Sequence, residues 1–131
     1  MKSRHELRES VFKILFQVEN TDLDYRELLE FEVDDVSGSE YVTRTLDDIF
    51  EKKKEIDEII TNNLKNWKLE RLSKMYRQIL KITTYEILFT DIPYKVSINE
   101  AVELSKKYSE KDDSYKFING VLKGIVETST K

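Results

Sequence analysis

Residues 72–89 read LSKMYRQILKITTYEILF. Leu72, Met75, Tyr76, Ile79, Leu80, Ile82, Tyr85, Ile87, Leu88 and Phe89 fall around most of a 3.6-residue period, where a surface helix would confine them to one stripe. A helix that is apolar on most sides has to be enclosed by several others, so this stretch predicts the central helix of a bundle. Pro93 ends it, because proline drives the preceding residue, Ile92, out of the α region. The rest of the chain agrees. It has one proline and three glycines, and no sustained alternation of apolar and polar residues, so long helices with short connections are expected throughout. The fold class is all-α, a compact helical bundle.

Upstream, Leu7, Val11, Ile14, Leu15 and Val18 mark one face of a first helix from about Ser3 to Glu19. A short helix is expected around Tyr25–Phe31, and the polar stretch Asp34-Asp35-Val36-Ser37-Gly38-Ser39 reads as a loop. The apolar series then runs through Val42, Leu46, Ile49 and Phe50 to Ile56, Ile59, Ile60, Leu64 and Trp67. Lys52-Lys53-Lys54 stands where the stripe should continue, so a bend or break is expected there. A soft boundary at Asn66-Trp67-Lys68 divides an N-terminal three-helix subdomain, residues 1–67, from a C-terminal helical subdomain, residues 68–131.

Downstream, Ser97 followed by Glu100 has the spacing of a capping box, and Val96 could staple onto Ala101, so a helix is expected from Ile98 to about Tyr108. After the charged loop 109–113 a last helix carries Phe117, Ile118, Val121, Leu122 and Ile125 inward. Gly120 lies inside that helix and is expected to mark a close helix–helix contact, at a propensity cost of about 1 kcal/mol.

Composition excludes whole classes of chemistry. With no cysteine there is no disulfide or thiolate metal site, and a reducing cytoplasm is the expected setting. No apolar run reaches the roughly 20 residues of a membrane span. The one histidine, His5, sits near the terminus, and three scattered glycines make no phosphate-binding loop. Adjacent acids such as Asp47-Asp48 diverge on a helix and fit solvated faces or caps. Neither catalytic residues nor a metal or cofactor is expected. The charge is uneven: +1 over residues 1–20, −9 over 21–60 and +4 over 61–131. Screening acts over about 10 Å, so an overall charge of −4 does not bar a nucleic-acid partner from a local basic patch.

One such patch begins in the first helix. Arg4, Arg8, Phe12 and Phe16 recur at i+4, which aligns two guanidinium groups and two rings. That pattern suits RNA, whose phosphates attract arginine and whose unpaired bases stack on flat side chains. It equally suits a widened buried face, with the arginines paired to Glu6 or Glu9. Lys65, Lys68, Arg71, Lys74, Arg77 and Lys81 make a second basic surface, which ordinary helix solvation also explains. At the last helix, Ser114, Tyr115 and Lys116 stand where free amides favour an anion, but Asp112 and Asp113 fit that place as caps.

Two longer motifs carry a family resemblance. Pro93-Tyr94-Lys95-Val96-Ser97-Ile98-Asn99-Glu100-Ala101-Val102-Glu103-Leu104 resembles the P-x-x-V-x-I-N-E-A-V-E-L segment of NusB proteins, and Asp113-Ser114-Tyr115-Lys116-Phe117-Ile118-Asn119-Gly120-Val121-Leu122 resembles their D-S-x-K-F-V-N-G-V-L. Between Trp67 and Leu88 the spacings W-x-L-x-R-L, I-L-x-I and Y-E-I-L are similar too, as is the pair Arg8-Glu9. The resemblance covers the whole chain. It implies a cofactor-free, two-subdomain factor that binds the boxA element of ribosomal RNA leader transcripts with NusE, a small-subunit ribosomal protein. Such a factor joins other Nus factors on RNA polymerase, suppresses premature termination and, in some relatives, forms a homodimer.

By the same resemblance, RNA contact is expected from Lys2, Arg4, His5, Arg8, Phe12 and Lys116, and NusE contact from Phe16, Glu70, Tyr76 and Phe117. His5 and Glu6 stand where relatives often have further arginines, which implies either a weaker RNA affinity or a greater reliance on NusE. Tyr76 stands at a position that is commonly acidic in relatives, so the resemblance does not carry an ion pair over to it. Two other readings remain: the NusB-like RNA-binding domain that accompanies ribosomal-RNA cytosine methyltransferases, and a protein-interaction module built around the acidic 21–60 segment.

Overall fold

The structure, a computed structural model, describes residues 3–19, 21–33, 35–109 and 114–129. Among these are seven α-helices and one 3-10 turn, which cluster into two compact units, Met1–Lys52 and Lys53–Lys131. No helix is long and apolar enough to cross a membrane among the described residues.

The first unit holds α1 (Arg4–Val18), α2 (Tyr25–Glu32) and α3 (Val36–Glu51). The Ser3 hydroxyl accepts the Glu6 amide at 3.2 Å and the Glu6 carboxylate accepts the Ser3 amide at 3.0 Å, a capping box that starts α1. Val11, Ile14 and Leu15 are buried, as are Val42, Leu46 and Ile49 of α3, against which α1 packs. Asp24 caps α2, and the Tyr25 ring stacks on Phe50 with centroids 5.1 Å apart. The Tyr25 hydroxyl donates to Asp47, and Arg26 pairs with the same carboxylate at 3.1 Å, so the start of α2 is tied to the end of α3.

Residues 36–39, expected as loop, are the first turn of α3. The Asp35 carboxylate accepts the Gly38 amide at 3.0 Å and the Ser37 hydroxyl at 2.9 Å, so the polar run is a cap and not a connection. These bonds, the Gly38 amide foremost, hold the Asp35 carboxyl below its ordinary value. Since its folded value is the lower one, the cap stabilises above the ordinary carboxylate range, and that contribution is lost as pH falls through the folded value. Gly38 is buried, and a Cβ there would lie 2.9 Å from Val33 Cγ1 and 3.1 Å from Leu7 Cδ2. Nearer still, at 2.7 Å, is Oδ1 of the Asp35 carboxylate, which can make room only by disturbing the cap it forms with the Gly38 amide. Gly38→Ala is therefore expected to destabilise by about 1–3 kcal/mol, read as a lower urea midpoint with an unchanged m-value.

α3 ends at Lys52, inside the lysine run where a break was expected, and α4 (Lys53–Asn62) opens the second unit. The division thus falls earlier than the one expected at Asn66-Trp67-Lys68. The reason is α4: Ile56 and Ile60 are buried, and the helix lies against α5 (Lys74–Phe89) and α7 (Ser114–Ser129). Asn66 takes a left-handed conformation, φ 65°, which asparagine tolerates better than most residues. A 3-10 turn over Leu69–Arg71 follows, and Ser73 caps α5 by accepting the Tyr76 amide at 3.2 Å.

α5 packs on α4, α6 (Tyr94–Tyr108) and α7, and buries every residue from Gln78 to Glu86 except Lys81, as befits the central helix. Its end precedes Pro93: Thr90 caps it, donating its hydroxyl to the Glu86 carbonyl at 2.6 Å and accepting the Ile92 amide at 3.2 Å. The expected capping box at Ser97 does not form. α6 begins a turn earlier, with Pro93 as its N-cap and the Pro93 carbonyl accepting the Val96 and Ser97 amides. Proline presets φ and lacks only an N–H that a helix start leaves unbonded, so it nucleates the turn before Ser97 is reached. Ser97 is consequently buried inside α6, and Val96 is exposed rather than stapled to Ala101. Gly120 also departs from expectation: it is exposed, and the close approach belongs to Gly124, where a Cβ would lie 2.9 Å from Asn63 Oδ1.

Candidate nucleic-acid interface

The basic stripe on α1 is only partly open. Arg4 and His5 are exposed, with Ser3 and Glu6 locking the turn that carries them. Arg8 and Phe12 are each 3% exposed, and Glu9, Ser10 and Val11 between them are buried too. At 100° per residue, five consecutive buried positions enclose the helix on all sides. The i+4 pattern shows that the four side chains share a face but not that the face is free. Arg8 and Phe12, expected to contact RNA, are therefore buried in this structure. Phe16 re-emerges at 39% exposure, its ring 6.1 Å from that of Phe12. Lys2 lies outside the described residues.

In the second unit, side chains distant in sequence converge. Trp67, Arg71, Leu72, Ser73, Tyr76, Ser114, Lys116 and Phe117 line a cavity of about 480 Å³. The Phe117 ring lies 5.3 Å from that of Tyr76 and 6.4 Å, edge-on, from that of Trp67. Two supports hold this cleft. The Arg77 guanidinium donates to the Glu70 carbonyl at 3.3 Å and to the Leu72 carbonyl, pinning the 3-10 turn to α5. The buried hydroxyls of Ser105 and Ser114 bond at 3.0 Å and set the start of α7 against α6.

Tyr76, Phe117 and Lys116 were expected to meet partners, and they share this one cleft; Glu70 is exposed on the adjoining 3-10 turn. The Tyr76 ring packs on Phe117, so what this position offers a partner is an aromatic surface. Trp67 and Arg71 belong to the site although sequence reasoning used one as a boundary and the other as a solvated cation. Their signal was spacing: the chain's only tryptophan, 57% exposed, stands four residues before an arginine. An exposed indole beside guanidinium and ammonium groups can stack on a flat group while the cations neutralise phosphate or carboxylate. Among the described residues no cluster of histidine, aspartate or glutamate could hold a metal ion.

The pattern of the NusB family matches residues 5–127. The chain belongs to the NusB family. Among its relatives is the transcription antitermination protein NusB of Macrococcus caseolyticus, 43% identical over 127 residues, which span 95% of this chain and 97% of that protein. Among solved structures, a T. maritima NusB is 39% identical, with a TM-score of 0.89, over 100% of this chain and 96% of that one. A NusB solved with the antitermination factor NusE and dsRNA is 26% identical, with a TM-score of 0.82, over 95% and 96% of the two chains. The NusB fold thus accounts for both units, and the all-helical class expected from residues 72–89 is the class observed.

Proposed function

We propose that this NusB-family chain is an RNA-binding transcription antitermination factor that, together with NusE, binds boxA of ribosomal RNA leader transcripts and suppresses premature termination. The observation that carries this reading is the full-length correspondence with NusB proteins, one of them solved with NusE and dsRNA. The aromatic and basic cleft supplies chemistry that fits it. Arg4, His5 and Lys116, all exposed, serve phosphate, joined by Lys2 from sequence. Phe16, Glu70, Tyr76 and Phe117 serve NusE. Arg8 and Phe12 act indirectly, by holding α1 in place. The role is non-enzymatic, without cofactor, and belongs to the cytoplasm, where other Nus factors and RNA polymerase complete the assembly; the free chain can pair with itself.

The test is binding of a boxA RNA oligonucleotide to the purified chain with and without NusE, across a salt series. Affinity should fall steeply with salt, because each neutralised phosphate releases counterions, and should rise when NusE is present. Salt-insensitive binding, or none in either condition, would overturn the assignment. The −9 balance of residues 21–60 favours a second reading, a protein-interaction module. That reading wins if NusE binds tightly and RNA adds nothing.

A further inference from the structure

Gly120 sits in the interior of α7, where glycine is less favourable than alanine by about 1 kcal/mol. The fold offers no reason for it. Its φ is not positive, and nothing among the described residues lies within 4 Å of the place a Cβ would occupy. Lys116 is four residues before it and Lys123 three after, so the three positions share one ridge of the helix, and all three are exposed. Over that ridge a strip of bare helix backbone lies between two ammonium groups. The lysines are seven positions apart, roughly 10 Å along the axis. Phe117, beside Lys116, is turned to the cleft with Trp67 and Tyr76, so the surface between the two lysines carries no large apolar side chain of its own. Lys123 also borders the groove between α6 and α7, whose rim carries a further cation, Lys95.

We propose that the Lys116–Gly120–Lys123 ridge of α7 seats the sugar–phosphate backbone of RNA. The absent side chain at Gly120 lets the strand approach the helix, and Lys123 adds a phosphate contact beyond Lys116. The positive stretch stops at Glu127, one turn past Lys123, where a carboxylate would repel the strand. This inference rests on the RNA-binding reading above and extends it to two residues that reading does not use.

The experiment measures anisotropy of a labelled boxA RNA oligonucleotide with the full chain, over a salt series, for the parent, Gly120→Ala, Lys123→Gln and Lys54→Gln. Lys54 is an exposed lysine on α4 and reports a charge change on a different helix. Lys123→Gln should reduce the slope of log affinity against log salt by about 0.7, the value for one single-strand phosphate, whereas Lys54→Gln should leave it unchanged. Gly120→Ala should weaken binding on the order of tenfold while raising the thermal midpoint, since alanine is the better helix former. Loss of binding could not then be ascribed to unfolding. Parent-like affinity and slope in both ridge variants would overturn the ridge and leave the RNA-binding reading standing, as would an equal slope change in Lys54→Gln. A parent chain that does not bind RNA would overturn that reading and the ridge with it.

Discussion

Phe117→Ala is expected to weaken NusE binding by about 2 kcal/mol or more, roughly thirtyfold, with the chain still folded. The ring is the hub of the cleft, in reach of both Trp67 and Tyr76, and only half-buried, so much of its surface is left for a partner to cover. Aromatic anchors of this kind, flanked by cations and open to a second surface, carry a disproportionate share of interface energy. Inside the chain the substitution costs less, because it removes two ring contacts of about 0.5–1.5 kcal/mol each from the rim of the fold and leaves the buried Ile118 and Leu122 untouched. Calorimetric titration with NusE, alongside thermal unfolding, separates the two effects. Affinity kept at the parent value would remove the cleft from the NusE surface.

Arg4→Ala and Arg8→Ala are expected to behave differently, although both arginines lie on one sequence stripe. Arg4 is exposed, so its loss should leave the unfolding midpoint in place and reduce the salt slope of RNA binding by about 0.7. Arg8 is 3% exposed and is followed by the buried Glu9, Ser10 and Val11, and truncating it removes the packed stem and empties the space around it. A cost of about 2–4 kcal/mol is expected, visible as a lower denaturant midpoint in the absence of RNA. RNA binding by Arg8→Ala should then recover under conditions that restore folding, such as a stabilising osmolyte. If Arg8→Ala kept full stability and lost RNA affinity selectively, Arg8 would be a direct contact and the buried placement would not describe the RNA-bound chain.

Much of the fold was legible because helices announce themselves locally. The all-round apolar pattern of residues 72–89 identified the enclosed helix α5, and the lysines at 52–54 marked the break between α3 and α4. Misreadings came where one local signal stood for two arrangements. Ser-x-x-Glu occurs at Ser3/Glu6 and at Ser97/Glu100, yet only the first is a capping box, because Pro93 starts α6 before Ser97 is reached. Asp34–Ser39 has the composition of a loop, but a carboxylate placed to accept the Gly38 amide makes its latter part a helix start. Gly120 and Gly124 look alike in sequence, and only the neighbours of each separate an exposed ridge from a close contact with Asn63.

By itself the sequence determined the helical class, the order of the helices, the absence of thiol chemistry and, through two extended motifs, membership of the NusB family. These properties depend on period, composition and the order of residues, all of which are local or cumulative along the chain. Tertiary structure alone decided which face of α1 is closed, so that Arg4 meets solvent and Arg8 does not. It also brought Trp67, Arg71, Tyr76, Lys116 and Phe117 into one cleft. Exposure and convergence are properties of what packs around a residue, and the spacing of residues along a helix carries no record of its neighbours.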